Sequence, residues 1–174
     1  VVGTDSYVED LRDSGLKVTT EVEDDIALVV VAYDSELNYE KLTKVSQVLF
    51  EKDVPFYATN PDLRCPIDFG FIPDCGAICD MITATTDKKP VYLGKPNKKV
   101  VEMCLWDSGF TKEETIVVGD RLYTDIACGI NAGVDTCVLF TGEAKKEDMA
   151  DTLYKATYEF DDVRTFLEAI LGEK

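Results

Sequence analysis

The sequence predicts an α/β protein built on parallel sheets, and two features carry that prediction. Short apolar runs alternate with amphipathic segments of helical length along the 174 residues, the β-α-β-α order that goes with parallel strands. The run from Ile26 to Ala32, IALVVVA, is apolar without a break, as expected of a strand covered on both faces.

Each element has its own signal. Val1-Val2 reads as the tail of a strand, and Ser6 to Ser14 as a helix closed by Gly15. Asn38 caps a helix over Tyr39 to Glu51, with Leu42, Val45 and Leu49 on one stripe. Pro55 to Ala58 is a second strand, ending in Thr59-Asn60-Pro61-Asp62. Prolines and Gly70 make Leu63 to Asp74 read as a long loop, followed by a helix from Gly76 to Thr85. Val91 to Leu93 is a short strand ending at Gly94-Lys95-Pro96. Asn97 caps a helix to Ser108, with Val100, Val101, Cys104 and Leu105 inward. Strand Ile116 to Val118, helix Leu122 to Asn131 and strand Thr136 to Phe140 follow. A charged helical stretch from Ala144 to Leu153, a strand near Tyr158-Phe160 and a helix from Val163 to Leu171 complete the order. The polar stretch Lys88-Lys89-Pro90 separates two βα blocks, which divides the chain into domains 1–89 and 90–174.

Composition narrows the function. Lys and Arg total 18 and Asp and Glu total 34, so the net charge is 18 − 34 = −16. Such a chain has no electrostatic reason to hold a nucleic-acid backbone or an anionic membrane. An anionic substrate would need a local Lys or a metal ion. There is no His, which removes Ser-His-Asp and Cys-His catalysis and His-ligated zinc. Of the six Cys, Cys104, Cys128 and Cys137 sit among apolar residues as small core fillers. Cys75 and Cys79 lie one helical turn apart, with no second pair at metal-site spacing. Without a secretory signal or long apolar run, a reducing cytoplasm is the expected compartment.

Three strand ends carry polar residues: Thr59-Asn60, Gly94-Lys95 and Gly119-Asp120. In open parallel sheets ligands sit beyond the carboxyl ends of the strands. Asp120 follows its strand directly, and Gly119 permits close backbone approach or an unusual φ. Asp125 falls in the first turn of the next helix, where the dipole and free N–H groups stabilise an anion. Carboxylates at that edge suit Mg²⁺, a hard cation that prefers oxygen, and Lys95 supplies a point charge for phosphate. Taken singly, each Asp also reads as a turn former or helix cap, and Lys95 as a solvated lysine. The succession of G-K-P and then G-D-x-x-x-T-D at neighbouring strand ends favours a site.

These residues resemble the haloacid dehalogenase-like hydrolases, in the branch of 4-nitrophenylphosphatases and nucleotide or sugar phosphatases with a large α/β cap. The similar segments are VVVAYDSELNYEKL (29–42), PFYATNPDLRCP (55–66), GFIPDCGAICDMI (70–82), PVYLGKPN (90–97) and IVVGDRLYTDI (116–126), in the family's order. The resemblance implies an α/β cap over residues 1–89 and the second half of a Rossmann-like catalytic core over 90–174. It implies phosphoryl transfer through an aspartyl-phosphate, with Mg²⁺ as cofactor and a small phosphorylated metabolite as substrate. Lys95 would neutralise the phosphate, Asp120 would help hold Mg²⁺, and Asp125 would support that metal site from behind or through water. Tyr33, Asn60, Cys65 and the loop Pro73 to Gly76, with Asp74, would face the leaving group. Asp74 stands where relatives often carry Gly and adds bulk and charge there, so the family's substrate preference is not carried over to this chain.

One departure matters. The family's nucleophile motif is Asp-x-Asp, and no Asp-x-Asp occurs in these residues. The chain also begins Val1-Val2-Gly3 without Met, so it is expected to start at the opening of the cap, after the nucleophile half, and to be inactive alone. A core lacking central strands would expose apolar surface over residues 93–174 and form a homo-oligomer through it. The alternative is a truncated non-catalytic α/β module for binding or assembly. A Cys-based redox or metal protein is a third reading.

Overall fold

The computed structural model describes residues 1–172. The chain is α/β, as the alternation of patterns predicts, and it divides into two compact units that meet at Gly94 and Lys95.

The first unit is built on strands β1 (Val29–Val31), β2 (Phe56–Ala58) and β5 (Val91–Tyr92), all parallel, in the order β1-β2-β5. Val2 adds an isolated parallel bridge to Val31 on the outer side of β1, so of the opening valines expected to end a strand one makes a single bridge. The ladder is shorter than the apolar run Ile26–Ala32 because β2 offers partners only from the Pro55 carbonyl, which accepts the Val29 N–H, onward. Helix α1 (Asp5–Asp13) is capped by Thr4, whose hydroxyl accepts the Tyr7 N–H. Helix α2 (Tyr39–Glu51) has Asn38 as its cap, its side chain accepting the Lys41 N–H at 3.0 Å. Helix α3 (Cys75–Thr86) is capped by Asp74. Val29, Val31, Phe56 and Ala58 from the sheet meet Val45, Val48 and Leu49 of α2 and Cys75, Ile78, Cys79 and Ile82 of α3 in one core.

Two expectations change here. Residues 64–73 are not a loop: β3 (Arg64–Ile67) and β4 (Gly70–Pro73) form an antiparallel hairpin closed by the turn Asp68-Phe69, with the Arg64 guanidinium 4.6 Å from the Phe71 ring centroid. Its prolines are tolerated because both strands of a two-stranded ribbon are edges. The expected break at 89/90 falls inside the first unit, because β5 pairs with β2 and carries the first unit to Gly94.

In the second unit β6 (Ile116–Gly119), β7 (Asp135–Leu139) and β8 (Tyr158–Phe160) form a parallel sheet in that order. Helices α4 (Lys99–Ser108) and α5 (Ala127–Ala132) bury Val101, Cys128 and Ala132 against Val117. Cys104 departs from its expected inward place and is exposed, because the buried stripe of α4 runs through Val101. Of the expected helix Ala144–Leu153 only α6 (Asp148–Asp151) forms. The last helix, α7 (Val163–Leu171), buries no residue. No described helix is long and apolar enough to cross a membrane.

Candidate phosphate and cation site at the end of β6

The second unit gathers Lys95, Asp120 and Asp125. Strand β6 ends at Gly119, and Asp120 follows at its carboxyl end. The next segment, Leu122–Ile126, is a π-helical turn and not the first turn of a regular helix: the Arg121 carbonyl accepts from both the Asp125 N–H at 3.0 Å and the Ile126 N–H at 3.2 Å. Such turns insert one extra residue and recur at functional sites. Here the turn folds Asp125 back over the strand end, where its Oδ2 accepts the Arg121 N–H at 3.2 Å. Gly119 makes this possible by lacking a side chain: a Cβ there would lie 2.3 Å from the Asp125 Cβ. Its role is close approach, since its φ is not in the left-handed region.

The Lys95 ammonium donates to Asp125 Oδ1. The Asp125 side chain is 8% exposed and that of Lys95 is 52% exposed, so the carboxylate is buried under a cation that still faces solvent. Lys95 stands where the G-K-P motif predicts, but its bonded carboxylate is Asp125. Cys128 packs beneath, its thiol donating to the Asn97 carbonyl, and burial pushes that thiol above its ordinary range.

Asp120 is held differently. Its Oδ2 accepts the Glu143 N–H at 2.9 Å, and its carbonyl accepts the Ala144 N–H at 2.9 Å. Glu143 in turn pairs with Arg121 at 2.9 Å. Gly142, Glu143 and Arg121 are residues that sequence reasoning missed. Gly142 lies in a turn with no motif of its own, and its contact with Asp120 is visible only once the strands are paired.

The donor set fits part of a Mg²⁺ site. Both oxygens of Asp125 are engaged, which suits support from behind, whereas Asp120 keeps Oδ1 for a hard cation. Among the described residues no group of three or more Cys, Asp or Glu is placed to hold a metal, so the remaining oxygens of the coordination sphere would be water or lie on other residues.

The four residues expected to face a leaving group lie in the first unit. Tyr33 follows β1 and Asn60 follows β2, so they share one sheet edge, and Asn60 Oδ1 is buried without a hydrogen-bond partner. Cys65 is half-buried in β3. Asp74 is used structurally, its carboxylate accepting the Cys75 N–H at 2.6 Å at the start of α3.

The family described as HAD-hyrolase-like matches residues 92–166. The 5'-nucleotidase YutF of Bacillus subtilis is 33% identical over 170 residues, covering 98% of this chain and 65% of that protein. An acid sugar phosphatase of Staphylococcus epidermidis is 34% identical, covering 88% of this chain and 58% of its own length. The 4-nitrophenylphosphatase of Thermotoga maritima superposes with a TM-score of 0.88 at 32% identity, covering 97% of this chain and 65% of that one. The fold is that of the haloacid dehalogenase-like phosphatases. Residues 92–166 match the family model, the chain is similar to haloacid dehalogenase-like phosphatases over most of its own length, and it spans less than two thirds of the length of these relatives.

Proposed function

We propose that this chain supplies the phosphate-neutralising lysine and the metal-side carboxylates of a Mg²⁺-dependent phosphate monoester hydrolase. The observation that carries the reading is the Lys95–Asp125 ion pair standing beside Asp120 at the carboxyl end of β6. In this reading an aspartate oxygen attacks phosphorus, the ester P–O bond breaks, and the departing oxygen takes a proton from a second carboxyl group. Water then hydrolyses the aspartyl-phosphate to inorganic phosphate. Lys95 holds the phosphoryl oxygens by charge. Asp125 orients the Lys95 ammonium, and Asp120 offers an oxygen to the cation. Mg²⁺, when bound, offsets the charge that develops on the transferring group.

The 174 residues contain no Asp-x-Asp, so the attacking carboxylate is not among them. The chain alone is therefore expected not to turn over 4-nitrophenyl phosphate. In this proposal the first unit acts as the substrate-selecting cap through Tyr33, Asn60 and Cys65, the second is half of a catalytic core, the substrate is a small phosphorylated metabolite, and the compartment is the cytoplasm. Calorimetry of the chain with inorganic phosphate and Mg²⁺ tests the site. Metal-dependent binding that disappears in both Lys95→Ala and Asp120→Asn is expected, and binding that persists in both overturns the reading.

The missing Asp-x-Asp also favours a second reading, a non-catalytic module of the same family. The coding sequence upstream of Val1 separates the two. An in-frame strand followed by Asp-x-Asp supports the enzyme, and a start codon close to Val1 supports the module.

A further inference from the structure

An aspartate just past a strand end can rotate about χ1 and χ2, and a metal ligand that rotates binds poorly until it is held. In this chain the holding falls to a turn 23 residues further on. The Glu143 N–H donates to Asp120 Oδ2 at 2.9 Å, and the next amide, that of Ala144, donates to the Asp120 carbonyl at 2.9 Å. Side chain and main chain of one residue are thus clamped by consecutive N–H groups. The Glu143 carboxylate closes the other side of the turn by pairing with Arg121 Nε at 2.9 Å. The turn is itself anchored, since Ala144 is buried with Ile126, Val138 and Met149, and Lys146 pairs with Asp161 at 2.5 Å.

Gly142 sits against the carboxylate. A Cβ at this position would lie 1.9 Å from Asp120 Oδ2 and 2.4 Å from its Cγ. The φ of Gly142 is not in the left-handed region, so the backbone does not require glycine. The carboxylate does.

We propose that the Gly142-Glu143 turn, latched to Arg121, is the positioning element for Asp120. Gly142 leaves room for the carboxylate, and the Glu143 N–H fixes Oδ2 so that Oδ1 faces outward. That the outward oxygen meets a divalent cation rests on the function proposed above.

The clash at Gly142 is sharpest with the rotatable carboxylate of Asp120 and milder with its Cβ, 2.7 Å away, so Gly142→Ala is expected to fold with a small shift of the turn and to swing Asp120 off the Glu143 N–H. The first measurement is the Glu143 amide proton resonance of the 174-residue chain without metal. An N–H donating to a carboxylate resonates downfield, and this signal is expected to move upfield in Asp120→Ala and by a similar amount in Gly142→Ala. The second is Mn²⁺ affinity, read by electron paramagnetic resonance. About tenfold weakening or more is expected for Gly142→Ala, and a smaller loss for Glu143→Gln, which weakens the Arg121 latch and keeps the amide. Melting temperatures close to that of the unmodified chain establish that the variants fold. An amide signal that ignores Asp120→Ala overturns the positioning role, as does a folded Gly142→Ala chain whose Glu143 signal is unchanged. If the amide signals behave as expected while the unmodified chain takes up no Mn²⁺, the turn still positions Asp120 and the metal reading fails instead.

Discussion

Asp125 is the most constrained acid of the site. Its two oxygens meet the Lys95 ammonium and the Arg121 N–H, and its Cβ rests on Gly119. At Gly119 the atom nearest an added methyl group would be the Asp125 Cβ at 2.3 Å, which cannot rotate aside, whereas at Gly142 it would be the Asp120 Oδ2 at 1.9 Å. Gly119→Ala is therefore expected to lower stability by roughly 1–3 kcal/mol through overpacking, read as a fall in the denaturation midpoint, and to release Lys95 from its partner. Other residues set the alkaline limit. Burial raises the Cys137 and Cys128 thiols above 9.0, and it is the main cause that pushes the Tyr92 hydroxyl up to about 12. The unfolded chain gives up these protons first, so their contribution is full below pH 9.0 and is lost as pH rises through the folded values. Urea titrations are expected to show stability falling from about pH 9 toward 12, and a flat profile across that range would contradict the buried placement of these groups.

At the scale of elements, short-range chemistry was legible. The Asn38 cap and the stripe of α2 were readable because both are set by residues within four positions of each other. Asn38→Ala removes the acceptor for the Lys41 N–H and is expected to cost about 1 kcal/mol, seen as a lower urea midpoint with an unchanged slope. The hairpin Arg64–Pro73 was not readable, because its prolines and Gly70 are loop formers locally. Only pairing of Cys65 with Ile72 and of Pro66 with Phe71 makes them strands. The stretch Ala144–Leu153 failed in the opposite sense. Its charges suit a helix, but Ala144 is drawn into the core with Ile126 and Val138, and its N–H is used on the Asp120 carbonyl.

At the scale of the molecule, a net charge of −16 coexists with large apolar side chains left in water. In the second unit Trp106 is 87% exposed, and Val163, Leu167 and Ile170 of α7 are all more than half exposed. We infer that apolar surface exposed in this way on α4 and on α7 favours self-association. Sedimentation velocity in 0.5–1 M salt, which screens the repulsion between acidic chains, is expected to show self-association that Trp106→Glu and Leu167→Glu reduce. A strict monomer under those conditions would argue against association through either helix.

The amino-acid sequence by itself determined the α/β class, the order of nearly all elements, and the placing of Lys95 and Asp120 just past strands, with Asp125 a few residues further on. Each of those depends on periodicity, caps and strand-end chemistry over a few neighbouring residues. The tertiary structure alone decided which groups meet. Lys95 reaches a partner 30 positions away, and the amide that holds Asp120 lies 23 positions away. Parallel strands are joined through helices and long connections, so their carboxyl ends collect residues remote in the chain. No local pattern records which of them touch.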